Sequence, residues 1–262
     1  AVLDFQLLWA YQVAADLETK LGNAAFAAQY QQEIATLKKT IRAKYWDSAK
    51  KLFADREEKD EFSQHTNSLA ILTGMATPQE ANEIANQLIT NTKLAPASIY
   101  FKYYLHQALI KAGKGNDYLK WLDKWRENIQ MGLTTWAETS DVDKTRSDCH
   151  AWGSSPNIEF YRTILGIDSD GLAFSKVKIQ PHLGQMTEIS GKMPHPKGSI
   201  SASYKLENGK WKIQIELPNG EQLTTTVKGD ISLNNMNLTA VYSEKIKKNL
   251  ISVAKLTESG FC

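Results

Sequence analysis

Apolar residues recur every three or four positions through the first two-thirds of the chain, and this period predicts helices. Leu7, Tyr11, Ala14, Leu17 and Leu21 carry it until Gly22 ends the run, and Asn23 can cap the next helix. That second helix runs through Leu37 to about Ala43, and Tyr45 to Arg56 reads as a short hairpin or a long loop. Ser63 and Thr77, the latter followed by Pro78, have the chemistry of N-caps for two more helices. Phe101, Tyr104, Leu105, Ala108, Leu109 and Ala112 form a further stripe, stopped by Gly113 and Gly115. Tyr118, Leu122, Trp125 and Ile129 repeat it before Gly132, and a last helix is expected from about Pro156 to Leu165. Helix, short turn and helix in succession describe αα-hairpins. About seven helices without a fixed-period repeat favour an (α/α) barrel over a solenoid.

After Gly171 the period changes to two. Ile200, Ala202, Tyr204 and Leu206 alternate with Ser201, Ser203 and Lys205, and Asn208-Gly209 turns the chain. Trp211, Ile213, Ile215 and Leu217 answer on the return strand, before a second turn at Asn219-Gly220. Val177 and Ile179 alternate in the same way. These strands predict an antiparallel β-sandwich. The expected division is a helical domain over 1–168, a β-domain over 169–233, and a tail of uncertain structure over 234–262. Val241 to Leu256 admits a basic amphipathic helix, but a weakly ordered terminus is the preferred reading.

Composition narrows the function without naming it. Hydrophobic residues make up 42% and charged residues 23% of the 262, ordinary for a globular chain. The net charge of +2 offers no field to gather nucleic acid or an anionic membrane, so a neutral ligand is the compatible expectation. No apolar run approaches a membrane span. His106, His182 and His195 show no metal-ligand spacing, and no metal or cofactor is expected. The two cysteines, Cys149 and Cys262, make no disulfide framework, and Cys149 is expected to be a small buried thiol. The N-terminus shows neither a basic region nor a cleavage pattern and opens inside a helical period, as if cut from a longer chain. Compartment is therefore open, with the bacterial periplasm and the cytoplasm both compatible.

Chemistry concentrates in one segment. Thr134-Thr135-Trp136-Ala137-Glu138, followed by Arg146-Ser147-Asp148-Cys149-His150-Ala151-Trp152, sets a carboxylate, a histidine and two indoles in a loop between helices. Indole faces suit the apolar C–H faces of a sugar, while charged groups hold hydroxyls or activate water. Each indole alone is more often core filler, so the cluster carries the reading rather than any member. Tyr100 and Phe101 could line the same pocket, although core packing is the better expectation. His65 reads as a satisfied structural histidine, and Glu57, Glu58 and Glu61 as solvated surface.

These residues resemble family 78 glycoside hydrolases, the inverting α-L-rhamnosidases. The Thr134–Glu138 and Ser147–Trp152 runs, Leu165-Gly166-Ile167, Ile99-Tyr100-Phe101 and Val177-Lys178-Ile179-Gln180-Pro181 follow that family's C-terminal part in order. The resemblance extends from the first helix to Val227. It implies an incomplete (α/α)6 barrel followed by a β-sandwich, with Glu138 as general base and Trp136, His150 and Trp152 as contacts to a rhamnose-containing glycan or glycoside. The family's general acid lies in an earlier acidic motif with no counterpart here, so this chain alone is expected to be inactive. The alternative is a truncated, inactive carbohydrate-binding or interaction module. An open barrel also exposes helix faces, which implies self-association.

Overall fold

The computed structural model describes residues 1–218, 220, 222–228 and 238–241. Helices come first and small antiparallel sheets follow, as the change of period implies. Two compact units carry them: Ala1–Lys114 with Lys124–Gly153, and Gly115–Asp123 with the chain from Ser154 onward.

The first unit is built from helical hairpins. α1 (Val2–Leu21) pairs with α2 (Ala24–Tyr45), and the Asn23 side chain accepts from the Ala25 N–H at 2.8 Å between them. α3 (Gln64–Leu72) and α4 (Pro78–Thr90) follow, both capped by the residues expected from sequence. Ser63 Oγ accepts from the Thr66 N–H at 3.2 Å, and Thr77 and Glu80 form a reciprocal capping box ahead of Pro78. Between the hairpins, β1 (Trp46–Asp47) and β2 (Leu52–Phe53) make a short antiparallel hairpin. Buried Asn67 latches it to α3, accepting from the Phe53 N–H at 2.9 Å and donating to the Phe53 carbonyl at 2.9 Å. Phe5 meets Phe53 edge to face at 5.4 Å, joining α1 to the same core.

Two helical expectations change. Leu7, Leu17 and Leu21, which set the period of α1, are exposed, while Phe5, Leu8 and Ala15 are buried. α1 is apolar on two sides, and periodicity cannot say which side meets a neighbour. The stripe from Tyr118 to Ile129 does not form one helix. A 3₁₀ segment at Gly115–Trp121 is followed by α6 (Asp123–Gln130), and Ile129 is exposed. The preceding helix, α5 (Lys102–Leu109), runs into a π-type turn at Ile110–Lys114 that is kinked at Gly113, whose φ of 84° lies in the left-handed region. No described helix is long and apolar enough to cross a membrane.

The second unit joins α7 (Ser155–Glu159) and a π-type turn at Phe160–Ile164 to two sheets. β3 (Ile167–Ser169), β4 (Lys176–Ile179) and β9 (Leu238–Val241) form one, in the order β3-β4-β9. β5 (Glu188–His195), β6 (Gly198–Glu207), β7 (Lys210–Glu216) and β8 (Gln222–Lys228) form the other in simple succession. Every pairing is antiparallel. Inward residues of both sheets share one core: Ile167, Val177 and Ile179 with Ile200, Ala202, Tyr204, Ile213 and Ile215. Asn208 and Gly209 close the β6–β7 hairpin with φ of 51° and 70°, the two left-handed positions of a type I′ turn. Gly166, at φ 75°, is forced by crowding as well, because a Cβ there would lie 2.2 Å from the Gln180 carbonyl carbon.

One segment read as tail is a strand. β9 pairs Leu238–Val241 with β4, and four residues are too few to raise an alternating signal of their own. The rest of the proposed helix at 241–256, and the turn residue Asn219, lie outside the described residues.

Candidate active site

The segment from Thr134 to Gly153 contains little regular structure, so its own hydrogen bonds and the packing beneath it set its shape. His150 N–H donates to the Trp136 carbonyl at 2.8 Å, and Glu138 N–H donates to the Ser147 carbonyl at 2.8 Å. Thr135 Oγ1 donates to the Asp148 carbonyl. The two runs singled out in the sequence therefore lie side by side. Trp125 anchors them from below, its indole N–H donating to the Gly153 carbonyl at 2.6 Å. Gly153 is needed for that closeness: a Cβ there would sit 2.5 Å from the Cβ of Trp136.

Trp136, Glu138, His150 and Trp152 gather in this one loop. The Trp152 indole N–H donates to the Glu138 carbonyl at 2.9 Å. The His150 and Trp152 rings approach to 3.9 Å between centroids. Trp152 is nevertheless 40% exposed, so part of its indole remains accessible from solvent. Glu138 is only 7% exposed and is gripped by Arg146. Arg146 Nε donates to one carboxylate oxygen at 3.3 Å and a terminal guanidinium nitrogen donates to the other. This ion pair holds the Glu138 carboxyl below the usual carboxylate range against the opposing effect of burial, and the charge of His150 adds to it. The same bond raises the Arg146 guanidinium. A carboxylate kept ionised can accept a proton from water.

Tyr100 and Phe101, expected together in the core, separate. Phe101 is buried, with its ring 4.3 Å from that of His65. Tyr100 is exposed and packs its ring 5.2 Å from Trp152, extending the aromatic surface beside Glu138. Cys149, expected to be buried, is exposed. It lies on the outer edge of the loop, between the inward-bonded Ser147 and His150 backbones. Glu57, Glu58 and Glu61 lie at the surface in ion pairs with Lys44 or Arg56. Among the described residues no group of three or more His, Cys, Asp or Glu side chains is placed to hold a metal ion.

Comparison with known proteins bears on this geometry. Residues 4–164 match the bacterial alpha-L-rhamnosidase six-hairpin glycosidase domain, and residues 166–233 match the bacterial alpha-L-rhamnosidase C-terminal domain. A GH78 family rhamnosidase of Bacillus sp. GL1 is similar at 26% identity and a TM-score of 0.75, over 82% of this chain and 25% of that protein. The α-L-rhamnosidase from Dictyoglumus thermophilum shares the fold at 18% identity and a TM-score of 0.70, again over 82% and 25%. A rhamnosidase from Klebsiella oxytoca with rhamnose bound shares it at 20% identity and a TM-score of 0.56, over 61% and 33%. A search of curated proteins gave no match. The chain thus spans about a quarter of the length of the first of these relatives. With a partial six-hairpin domain leading into that C-terminal domain, the chain belongs to the GH78 bacterial α-L-rhamnosidase family.

Proposed function

We propose that this chain supplies the general base and part of the sugar pocket of an inverting α-L-rhamnosidase. Glu138 is the base, and Trp136, His150 and Trp152 are contacts to the rhamnosyl group. The observation that carries this reading is the buried Glu138 carboxylate, held ionised by Arg146 in a loop whose Trp152 indole, paired with His150, bonds the Glu138 backbone carbonyl. Inversion needs two carboxyl groups on opposite sides of the scissile bond, about 6.5–9.5 Å apart, with a water between base and anomeric carbon. A carboxylate has about four lone-pair directions, and the guanidinium fork takes two, which leaves Glu138 able to accept the water's proton. The indole of Trp152 suits the apolar face of a 6-deoxyhexose, and the relative from Klebsiella oxytoca was solved with rhamnose bound.

The general acid, by family resemblance, comes from an acidic motif with no counterpart among these 262 residues. Protonation of the leaving oxygen is therefore a task for residues outside this chain. A second reading, sugar binding without catalysis, rests on the exposed Tyr100–Trp152 aromatic surface. The two separate in one assay. The chain alone should leave an aryl α-L-rhamnoside intact. The chain joined to the remaining hairpins of a six-hairpin domain should release β-L-rhamnose first, followed by ¹H NMR of the anomeric proton. Release of the α-anomer first, or turnover by the isolated chain, would contradict the assignment.

A further inference from the structure

Glu138 is held at its backbone and at its carboxylate by one short return of its own loop. After Glu138 the chain turns back on itself. Thr139 Oγ1 donates to the Asp141 carbonyl at 2.8 Å, and a 3₁₀ turn at Val142–Lys144 ends with the Thr145 N–H donating to the Val142 carbonyl at 3.3 Å. This brings Thr145-Arg146-Ser147 beside Glu138. The Glu138 N–H donates to the Ser147 carbonyl at 2.8 Å and to Thr145 Oγ1 at 3.2 Å. The Thr145 hydroxyl donates its own proton to the same Ser147 carbonyl at 2.8 Å. One hydroxyl, acting as donor and acceptor, therefore ties both peptide groups together.

Arg146 lies between the two residues that make these bonds. Its side chain is 86% exposed, and its ion pair is with Glu138. An exposed arginine pays side-chain entropy to hold one geometry, and such pairs ordinarily contribute little. Here the guanidinium nonetheless meets both carboxylate oxygens. With so little packed around the side chain, its aim is set where it leaves the backbone. There Thr145 and Ser147 fasten the chain to Glu138 on either side of it. The Glu138 carbonyl in turn accepts the Trp152 indole N–H at 2.9 Å, so the residue being gripped is itself fixed.

We propose that Thr145 is a positioning residue for the Glu138 carboxylate: its hydroxyl locks the segment that presents Arg146, and Arg146 then orients the carboxylate. As a role in rhamnoside hydrolysis this rests on Glu138 being the base; as geometry it does not. Two substitutions separate the hydroxyl from the rest of the side chain. Thr145→Val keeps the β-branched shape and removes the hydrogen bonds, whereas Thr145→Ser keeps the hydroxyl and removes the methyl.

Arg146 and His150 are the charged groups that act on the Glu138 carboxyl, and only Arg146 is carried by the Thr145 segment. The carboxyl is followed by ¹³C NMR through a pH titration of the full 262-residue chain, its signal assigned by its loss in Glu138→Gln. Thr145→Val should move the Glu138 midpoint up toward the usual carboxylate range, and Thr145→Ser should leave it near that of the parent. In an Arg146→Gln background Thr145→Val should move it no further, because the two residues act in series. In the polypeptide joined to the remaining hairpins, Thr145→Val should lower kcat by up to about 100-fold with KM near the parent's, and Thr145→Ser should restore it. An unmoved midpoint in Thr145→Val, an equal further shift in the Arg146→Gln background, or a Thr145→Ser chain that behaves like Thr145→Val would overturn the proposal. So would a Thr145→Val chain that fails to fold, since the hydroxyl would then support the unit rather than Arg146. If the NMR results hold while Glu138→Gln keeps the parent's kcat, the base assignment fails and the positioning stands.

Discussion

Replacing Gly153 by alanine adds one methyl group at the most crowded point of the candidate site. Its Cβ would lie 2.5 Å from Trp136 Cβ, 3.3 Å from Trp136 Cγ and 3.6 Å from the Ala137 carbonyl oxygen. The atom struck first is a Cβ, fixed to the backbone, so no rotamer change relieves it and the loop itself must move. Gly153 also accepts the Trp125 indole N–H at 2.6 Å and donates its N–H to the His150 carbonyl at 3.1 Å, so its own backbone is held on both sides. Forcing a methyl into such a site costs about 1–3 kcal/mol, and for a chain of this size about 2 kcal/mol lowers Tm by roughly 4–8 °C. Gly132→Ala is the control. Gly132 has φ of 83° and nothing within 4 Å of its would-be Cβ, so it bears only the left-handed penalty of about 1 kcal/mol. Urea unfolding followed by indole fluorescence gives the energies, and near-UV circular dichroism reports the indole surroundings. Gly153→Ala should lose more stability than Gly132→Ala and alone should alter the near-UV spectrum, because Trp125, Trp136 and Trp152 share its contacts. Equal losses with an unchanged spectrum would refute the crowding argument.

Glu80 gives a pH-dependent test. Arg42 and the Thr77 N–H hold its carboxyl at about 2, below its ordinary 4.5. A depressed folded value contributes stability above the unfolded value and loses it as pH falls from about 4.5 to about 2. Glu80→Gln should therefore cost about 1–2 kcal/mol at pH 7, discounted for the partly exposed Arg42, with the gap closing by pH 2; a pH-independent difference in urea midpoints would contradict this. Arg146→Gln should raise the Glu138 carboxyl toward the usual carboxylate range, read by ¹³C NMR of its side-chain carbonyl, with partial rescue by Arg146→Lys. An unmoved Glu138 titration would show that the guanidinium does not keep that carboxylate ionised.

Local chemistry was legible in the sequence wherever it is self-contained. Asn23, Ser63 and Thr77 cap helices by reaching their own next turn, and Asn208-Gly209 closes a hairpin through its own dihedral preferences. The site loop was legible as a cluster because its residue types rarely meet by chance in one loop. What the sequence hid depends on neighbours distant along the chain. The apolar period of α1 is real, but the core it serves is on the side of Phe5 and Leu8, and the more regular stripe faces outward. The Tyr118–Ile129 stripe breaks where the chain returns from one compact unit to the other between Asp123 and Lys124, a crossing that no helical period records. Tyr100 stays exposed beside Trp152 although Phe101, one residue on, is core. Arg146 was legible only as a member of the loop cluster, and its two-point grip on Glu138 needed the loop's backbone pairing to bring them together.

Glu138→Gln, in a polypeptide that joins this chain to the remaining hairpins of a six-hairpin domain, tests the proton-accepting role most directly. The amide keeps the shape of the carboxylate but cannot take the proton of the attacking water. With an aryl α-L-rhamnoside, kcat should fall by about 10²–10⁴-fold, while KM and the affinity for L-rhamnose stay near those of the parent. A Glu138→Gln enzyme that keeps the parent's kcat would contradict the assignment of Glu138 as the base.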